Sequence, residues 1–170
     1  MEDPVSCDEQ CFARREQNEM NATVFEQIPL ILSTTEDRMV KAKRIVDLLR
    51  EAGKYRWVGL YEVDRSEIAV IAWSGANAPA YPHFPVTQGL SGEAVRSGET
   101  ILVGNVQADA RYLTTFGTTL SEMIVPIKHA LTGQVLLTID VESDQFNAFG
   151  QEDRVFFEEC AHHLSSLVER

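Results

Sequence analysis

No run in this 170-residue chain comes near the roughly 20 consecutive apolar residues that a helix needs to cross a bilayer, so a membrane span is not expected. The opening MEDPVSCDEQ lacks the basic start and apolar stretch of a secretory leader, which makes the cytoplasm the expected compartment. Basic residues are scarce: 15 Lys and Arg against 26 Asp and Glu give a net charge of −11. Such a surface repels polynucleotides and anionic lipid and removes both as partners. The three cysteines, Cys7, Cys11 and Cys160, cannot all pair within one chain. Cys7 and Cys11 have a helical spacing, yet no histidine or second cysteine pair nearby completes a metal site, so no metal is expected. No Gly-Lys-Ser or Gly-Lys-Thr occurs, so the phosphate cradle of nucleotide hydrolases is absent and no cofactor is implied.

What remains is the composition of one globular domain: 44% hydrophobic and 24% charged residues, in a length that suits a single core. The polar, acidic residues 1–20 read as a disordered tail and residues 21–170 as the domain. Val24, Phe25, Ile28 and Ile31 predict a first helix, broken at Pro29. The spacing of Met39, Ala42, Val46, Leu49 and Ala52 predicts a second over 36–52, stopped by Gly53. The period then changes to two, giving strands over 55–63 and 68–73. An irregular crossing with Pro79, Pro82 and Pro85 follows, then a short helix over 90–97 and a strand at 101–103. A loop or short helix spans 105–119, a second hairpin covers 121–128 and 133–141, and a last helix runs over 151–168. The order predicts an α+β fold, an antiparallel sheet with helices on one face.

The segment QGLSGEAVRSGE, beginning at Gln88, sets Ser91 close between two glycines at a helix start. Its spacing is one residue short of the Gly-x-Ser-x-Gly turn of hydrolases. A nucleophilic serine also needs a base, and His83, in the proline-rich loop, is the nearest histidine in sequence. Helix entry, with glycines allowing close backbone approach, explains the segment better.

Acids at strand ends are the second feature. In the strand ending at Glu142, alternation puts Val135, Leu137, Ile139 and Val141 on one face and Leu136, Thr138, Asp140 and Glu142 on the other. Glu122 opens the strand expected to pair with it, so three carboxylates gather at one end of the sheet. Solvated strand ends are one reading; a recess for an ammonium group, with Trp57 or Tyr61 as an aromatic wall, is the other. Core packing is the plainer role for either aromatic residue.

From about 24 to 168 the chain resembles a GAF domain, through Trp57-Val-Gly-Leu-Tyr61, Gly89-Leu-Ser-Gly-Glu-Ala94, Ser121 to Ile127, Gly133 to Asp140, and Phe146, Phe149, Glu152 and Asp153. The resemblance implies a central antiparallel sheet of five or six strands. Terminal helices would cover one face, and loops or short helices would roof a pocket on the other. It also implies a small-molecule ligand and a homodimer formed through the terminal helices. The segment 57–149 is most similar to the free methionine-(R)-sulfoxide reductase branch, which works through cysteines. Its pattern puts Tyr81, Ser91 and Thr115 where those thiols belong, and hydroxyls cannot replace a thiolate that attacks sulfur and a thiol that resolves the product. Glu122, Asp140 and Glu142 resemble its carboxylates for the substrate's amino group, while Trp57 and Tyr61 match nearby aromatic positions.

The expected function is therefore a non-catalytic sensor for a small, possibly amine-bearing metabolite, signalling through its terminal helices. Its site would comprise Trp57, Tyr61, Tyr81, Ser91, Thr115, Glu122, Asp140 and Glu142. The alternatives are a diverged sulfoxide reductase-like enzyme, a hydrolase using Ser91 and His83, and a purely structural dimerisation module.

Overall fold

The computed structural model describes residues 7–167. Helix α1, Cys7–Ser33, is continuous and leads into α2, Arg38–Gly53. It takes in residues 7–20, which composition marks as tail, and runs through Pro29 without the predicted break. Local pairing supports its exposed stretch 15–20: Arg15 Nε lies 3.2 Å from Glu19 Oε1, and Gln17 donates to Asn21 Oδ1 at 2.9 Å. Residues 1–6 of the predicted tail, and residues 168–170, lie outside the described residues.

Asp37 starts α2 by accepting the Met39 N–H at 2.8 Å, two residues later than the spacing suggests. At the other end Lys54, rather than Gly53, takes the left-handed conformation, with φ of 54°. Gly53 is needed for space instead, because a Cβ there would lie 2.3 Å from the Tyr55 ring.

The strands are β1 (Trp57–Val63), β2 (Glu67–Ser74), β3 (His83–Pro85), β4 (Ile101–Val103), β5 (Ser121–Lys128) and β6 (Val135–Ser143). They form one antiparallel sheet in the order β3-β2-β1-β6-β5-β4. The two hairpins, β1 with β2 and β5 with β6, meet in its middle through the β1 to β6 ladder. Short β3, inside the segment predicted to be irregular, and short β4 form the edges, where a brief strand limits pairing with other chains. Helix α3, Gly89–Ser97, lies between β3 and β4, and α4, Gln151–Leu164, closes the described fold with a 3-10 turn, Ser165–Leu167.

One face of the sheet is the main core. Val58, Leu60, Met123, Val125, Ile127, Leu137, Ile139 and Val141 meet Ile28, Ile45, Leu49, Phe157 and Cys160 from α1, α2 and α4. Asp153 ties that layer together: it accepts the Gly150 N–H at 2.9 Å to cap α4 and the Tyr55 hydroxyl at 2.8 Å. Val135 departs from the alternation. Leu137 pairs with Ile127 but Val135 with Lys128, so the extra Leu136 forms a bulge and Val135 joins the apolar cluster of Trp57, Tyr61 and Phe84.

Candidate functional site

The face opposite the helices holds the acids. Cross-strand register sets Glu122 beside Glu142, Asp140 beside Gly59, and Trp57 beside Glu142. All three carboxylates come from the two central ladders, and all three are buried. Among the described residues, Glu122 Oε2, Asp140 Oδ1 and Glu142 Oε1, together with the Thr138 hydroxyl two residues along β6, are buried without a hydrogen-bond partner. Among the described residues, Glu142 has a side-chain donor on its other oxygen, the Thr119 hydroxyl.

Burial has the expected electrostatic effect. It lifts the Glu122 carboxyl well above the usual range, helped by the charges of Glu142 and Asp109. Asp140 is raised in the same way by burial and then by Glu122 and Glu142. Glu142 is raised by burial to about 7, held there by opposing hydrogen bonds from Thr119 and Thr115 and by the charge of Arg56.

Apolar groups flank this polar patch on two sides. Leu90 and Ala94 of α3 pack with Val106 and Ile124. On the other side Trp57, Tyr61 and Phe84 form a chain of rings, with centroids 6.4 Å apart for the first pair and 6.0 Å for the second. Gly59 makes this wall possible, since a Cβ between the two aromatic residues would lie 2.3 Å from the indole. The segment 105–119 supplies the cover: Tyr112 packs with the α3 group, and Leu113 and Phe116 with the aromatic group. Phe116 meets Trp57 edge to face at 5.5 Å.

The opening of α3 is shaped by its glycines. Gly89 has φ of +74°, and a Cβ at Gly92 would stand 2.7 Å from the Val86 carbonyl oxygen. Ser91 is buried in that first turn. Among the described residues no hydrogen bond joins it to His83, which sits on the edge strand with Nδ1 3.3 Å from Glu67 Oε2.

A GAF domain family model matches residues 40–169. The chain belongs to the GAF family. GAF domain-containing protein A of Dictyostelium discoideum is 23% identical over 141 residues, 82% of this chain and 87% of that protein. The free methionine-R-sulfoxide reductase of Neisseria meningitidis, solved in complex with its substrate, is 26% identical with a TM-score of 0.78, and the match covers 88% of each chain. A GAF sensor protein from Burkholderia vietnamiensis is 26% identical with a TM-score of 0.77, covering 88% of this chain and 93% of that one. The match extends to architecture, an α+β GAF fold with a six-stranded antiparallel sheet.

Of the positions singled out by sequence, the GAF fold brings Trp57, Tyr61, Glu122, Asp140 and Glu142 to one face, with Thr115 and Ser91 in the segments above it. Tyr81 is exposed in the loop before β3, and among the described residues no hydrogen bond ties it to the acids. Sequence reasoning does not reach Thr119 or Phe116, which lie outside the periodic segments, nor Arg56, which falls in the strand predicted over 55–63 but just before β1, where alternation does not give its partners. Cys160 is buried in the helical layer, across the sheet from the acids, and burial pushes its thiol up, away from the reactive thiolate. The side chains of Cys7 and Cys11 lie outside the described residues. Among the described residues no group of three or more His, Cys, Asp or Glu side chains is arranged to hold a metal ion, and no helix is long and apolar enough to cross a membrane.

Proposed function

We propose that this GAF domain is a non-catalytic sensor for a small amine-bearing metabolite, with the ligand's ammonium on Glu122, Asp140 and Glu142. One observation carries the reading: each of the three buried acids keeps a carboxylate oxygen without a partner. Removing one partner from a buried charged pair is strongly unfavourable, and three carboxylates together either keep their protons or accept a cation. An ammonium offers three donors and a compact charge, while the Trp57 and Tyr61 rings favour a cation at close range.

The non-catalytic part of the reading rests on hydroxyl or ring side chains at Tyr81, Ser91 and Thr115, and on the place of Cys160 across the sheet. Output through the terminal helices is supported by β6, where Asp140 faces the site while Ile139 and Val141 join the core shared with α1 and α4. A cytoplasmic homodimer using those helices completes the proposal.

Calorimetry with a panel of amines and amino acids tests it. At least one member should bind, and the Glu122→Gln, Asp140→Asn double variant should lose that binding. Absence of any binding, or equal binding by the double variant, overturns the proposal.

A further inference from the structure

Arg56, immediately before β1, brings a positive charge to the edge of the acid site. Its guanidinium carbon lies 5.9 Å from the Phe116 ring centroid, its Nη2 donates to the Thr118 hydroxyl, and its Nε is 3.8 Å from Asp144 Oδ2. Its Nη1 is buried with no partner among the described residues. The neighbouring Trp57 pairs in register with Glu142, whose Oε1 is likewise buried and unpartnered. Arg56 is close enough to hold the Glu142 carboxyl down, yet among the described residues the acid within ion-pair distance of Arg56 is Asp144.

The Arg56 side chain is 33% exposed, so its outer edge is wet, while its buried Nη1 and the buried Glu142 oxygen are shielded from water, where opposite charges attract more strongly. Here the two inner atoms stay apart, and each lacks the bond its charge demands. A cavity of about 40 Å³ lies beside Arg56 and Trp57, lined also by Ala76, Asn77 and Phe116. About 10–15 Å³ is enough to seat one water, so this space suits a group of a few heavy atoms. The indole N–H on its wall is already committed to the Asn77 carbonyl at 3.1 Å, which leaves Arg56 Nη1 as the unpaired donor.

We infer that Arg56 and the cavity beside Trp57 form an anion subsite, so that the domain selects a zwitterion whose carboxylate bonds Arg56 Nη1 while its ammonium meets the acids. The inference rests on the reading of Glu122, Asp140 and Glu142 as an ammonium site. It adds a specificity determinant: an amine without an acidic group a few bonds away leaves Arg56 unsatisfied. Guanidinium is suited to the task, since its planar donors match a carboxylate.

The experiment is calorimetry on the full chain with glycine, L-leucine, L-methionine and L-methionine sulfoxide, each beside the amine left when its carboxyl group is removed. In the unmodified protein the best amino acid should bind at least about tenfold more tightly than its amine, as befits a hydrogen bond to a charged group. In Arg56→Gln that preference should shrink to about threefold or less, and Arg56→Lys should recover part of it. Thermal melts check that both variants fold, and the comparison within the unmodified protein needs no variant. An amine that binds as tightly as its amino acid, or a preference that survives Arg56→Gln, overturns the subsite while leaving the ammonium site standing. Binding by none of the compounds overturns both.

Discussion

On the helical face of the sheet, Leu60, Ile139 and Val141 are buried against Leu49 and Phe157 in a continuous apolar layer. On the other face the same strands present Glu122, Thr138, Asp140 and Glu142, equally buried but with polar atoms left unpartnered. The difference separates stability from binding: one face is satisfied by packing alone, and the other has its polar groups arranged for something the chain does not supply. Because alternation along β6 assigns successive residues to opposite faces, both properties are written into nine residues.

The largest expected effect is on the satisfied face. Phe157 is fully buried, 5.0 Å from the Tyr55 ring and 5.1 Å from Phe156. Phe157→Ala should cost about 3–5 kcal/mol of unfolding free energy in urea titration. A loss under about 1 kcal/mol would mean that the helices are not the main support of the sheet.

On the unsatisfied face the chief effect is a dependence on pH. Below about 4.5 Glu142 holds its proton whether folded or not, and between there and its folded value of about 7 the unfolded chain gives the proton up first. Stability therefore falls as pH climbs through this window, and Glu122 and Asp140, shifted in the same direction, add to the loss. The unliganded protein should melt at a lower temperature at about pH 8 than at about pH 5. Glu122→Gln with Asp140→Asn should flatten that slope, while a slope of opposite sign would break the comparison between the faces.

Much of this contrast can be read in the sequence because it depends on period. Val58, Leu60, Leu137 and Ile139 fall on one face, and Asp140 and Glu142 on the other, by simple alternation. What period does not carry is burial. Glu142 at a strand end reads as solvated until Thr119, from an aperiodic segment, bonds its carboxylate and the neighbouring Trp57 is covered by Phe116. The bulge at Leu136 moves Val135 to the opposite face through a register against β5 that period does not show, and α1 runs through Pro29 where local chemistry predicts a break.

A smaller effect tests the frame around the site. At Gly92 a Cβ would meet backbone atoms, the Val86 oxygen at 2.7 Å and the Thr87 carbon at 3.0 Å, and backbone cannot turn aside as a side chain can. Gly92→Ala should cost about 1–3 kcal/mol and displace the first turn of α3. Ligand affinity should fall with it, because Leu90 and Ala94 of that helix form one flank of the acid patch. Unchanged stability and affinity would mean that α3 does not fix that side of the site.

The smallest effect belongs to the outer surface of the same helix. Arg96 Nη2 lies 2.5 Å from Glu93 Oε1, and Arg111 Nη1 lies 3.9 Å from that oxygen, so the three side chains resemble a clasp between α3 and the covering segment. Yet the Arg96 side chain is 73% exposed, and water screens most of what so close a pair gains. Glu93 also keeps Arg111 nearby when Arg96 is gone. Arg96→Ala should therefore leave the unfolding free energy and the ligand affinity close to those of the unmodified protein. A larger loss in urea titration would show that the clasp, more than the packing of Leu90 and Ala94, holds α3 over the acids.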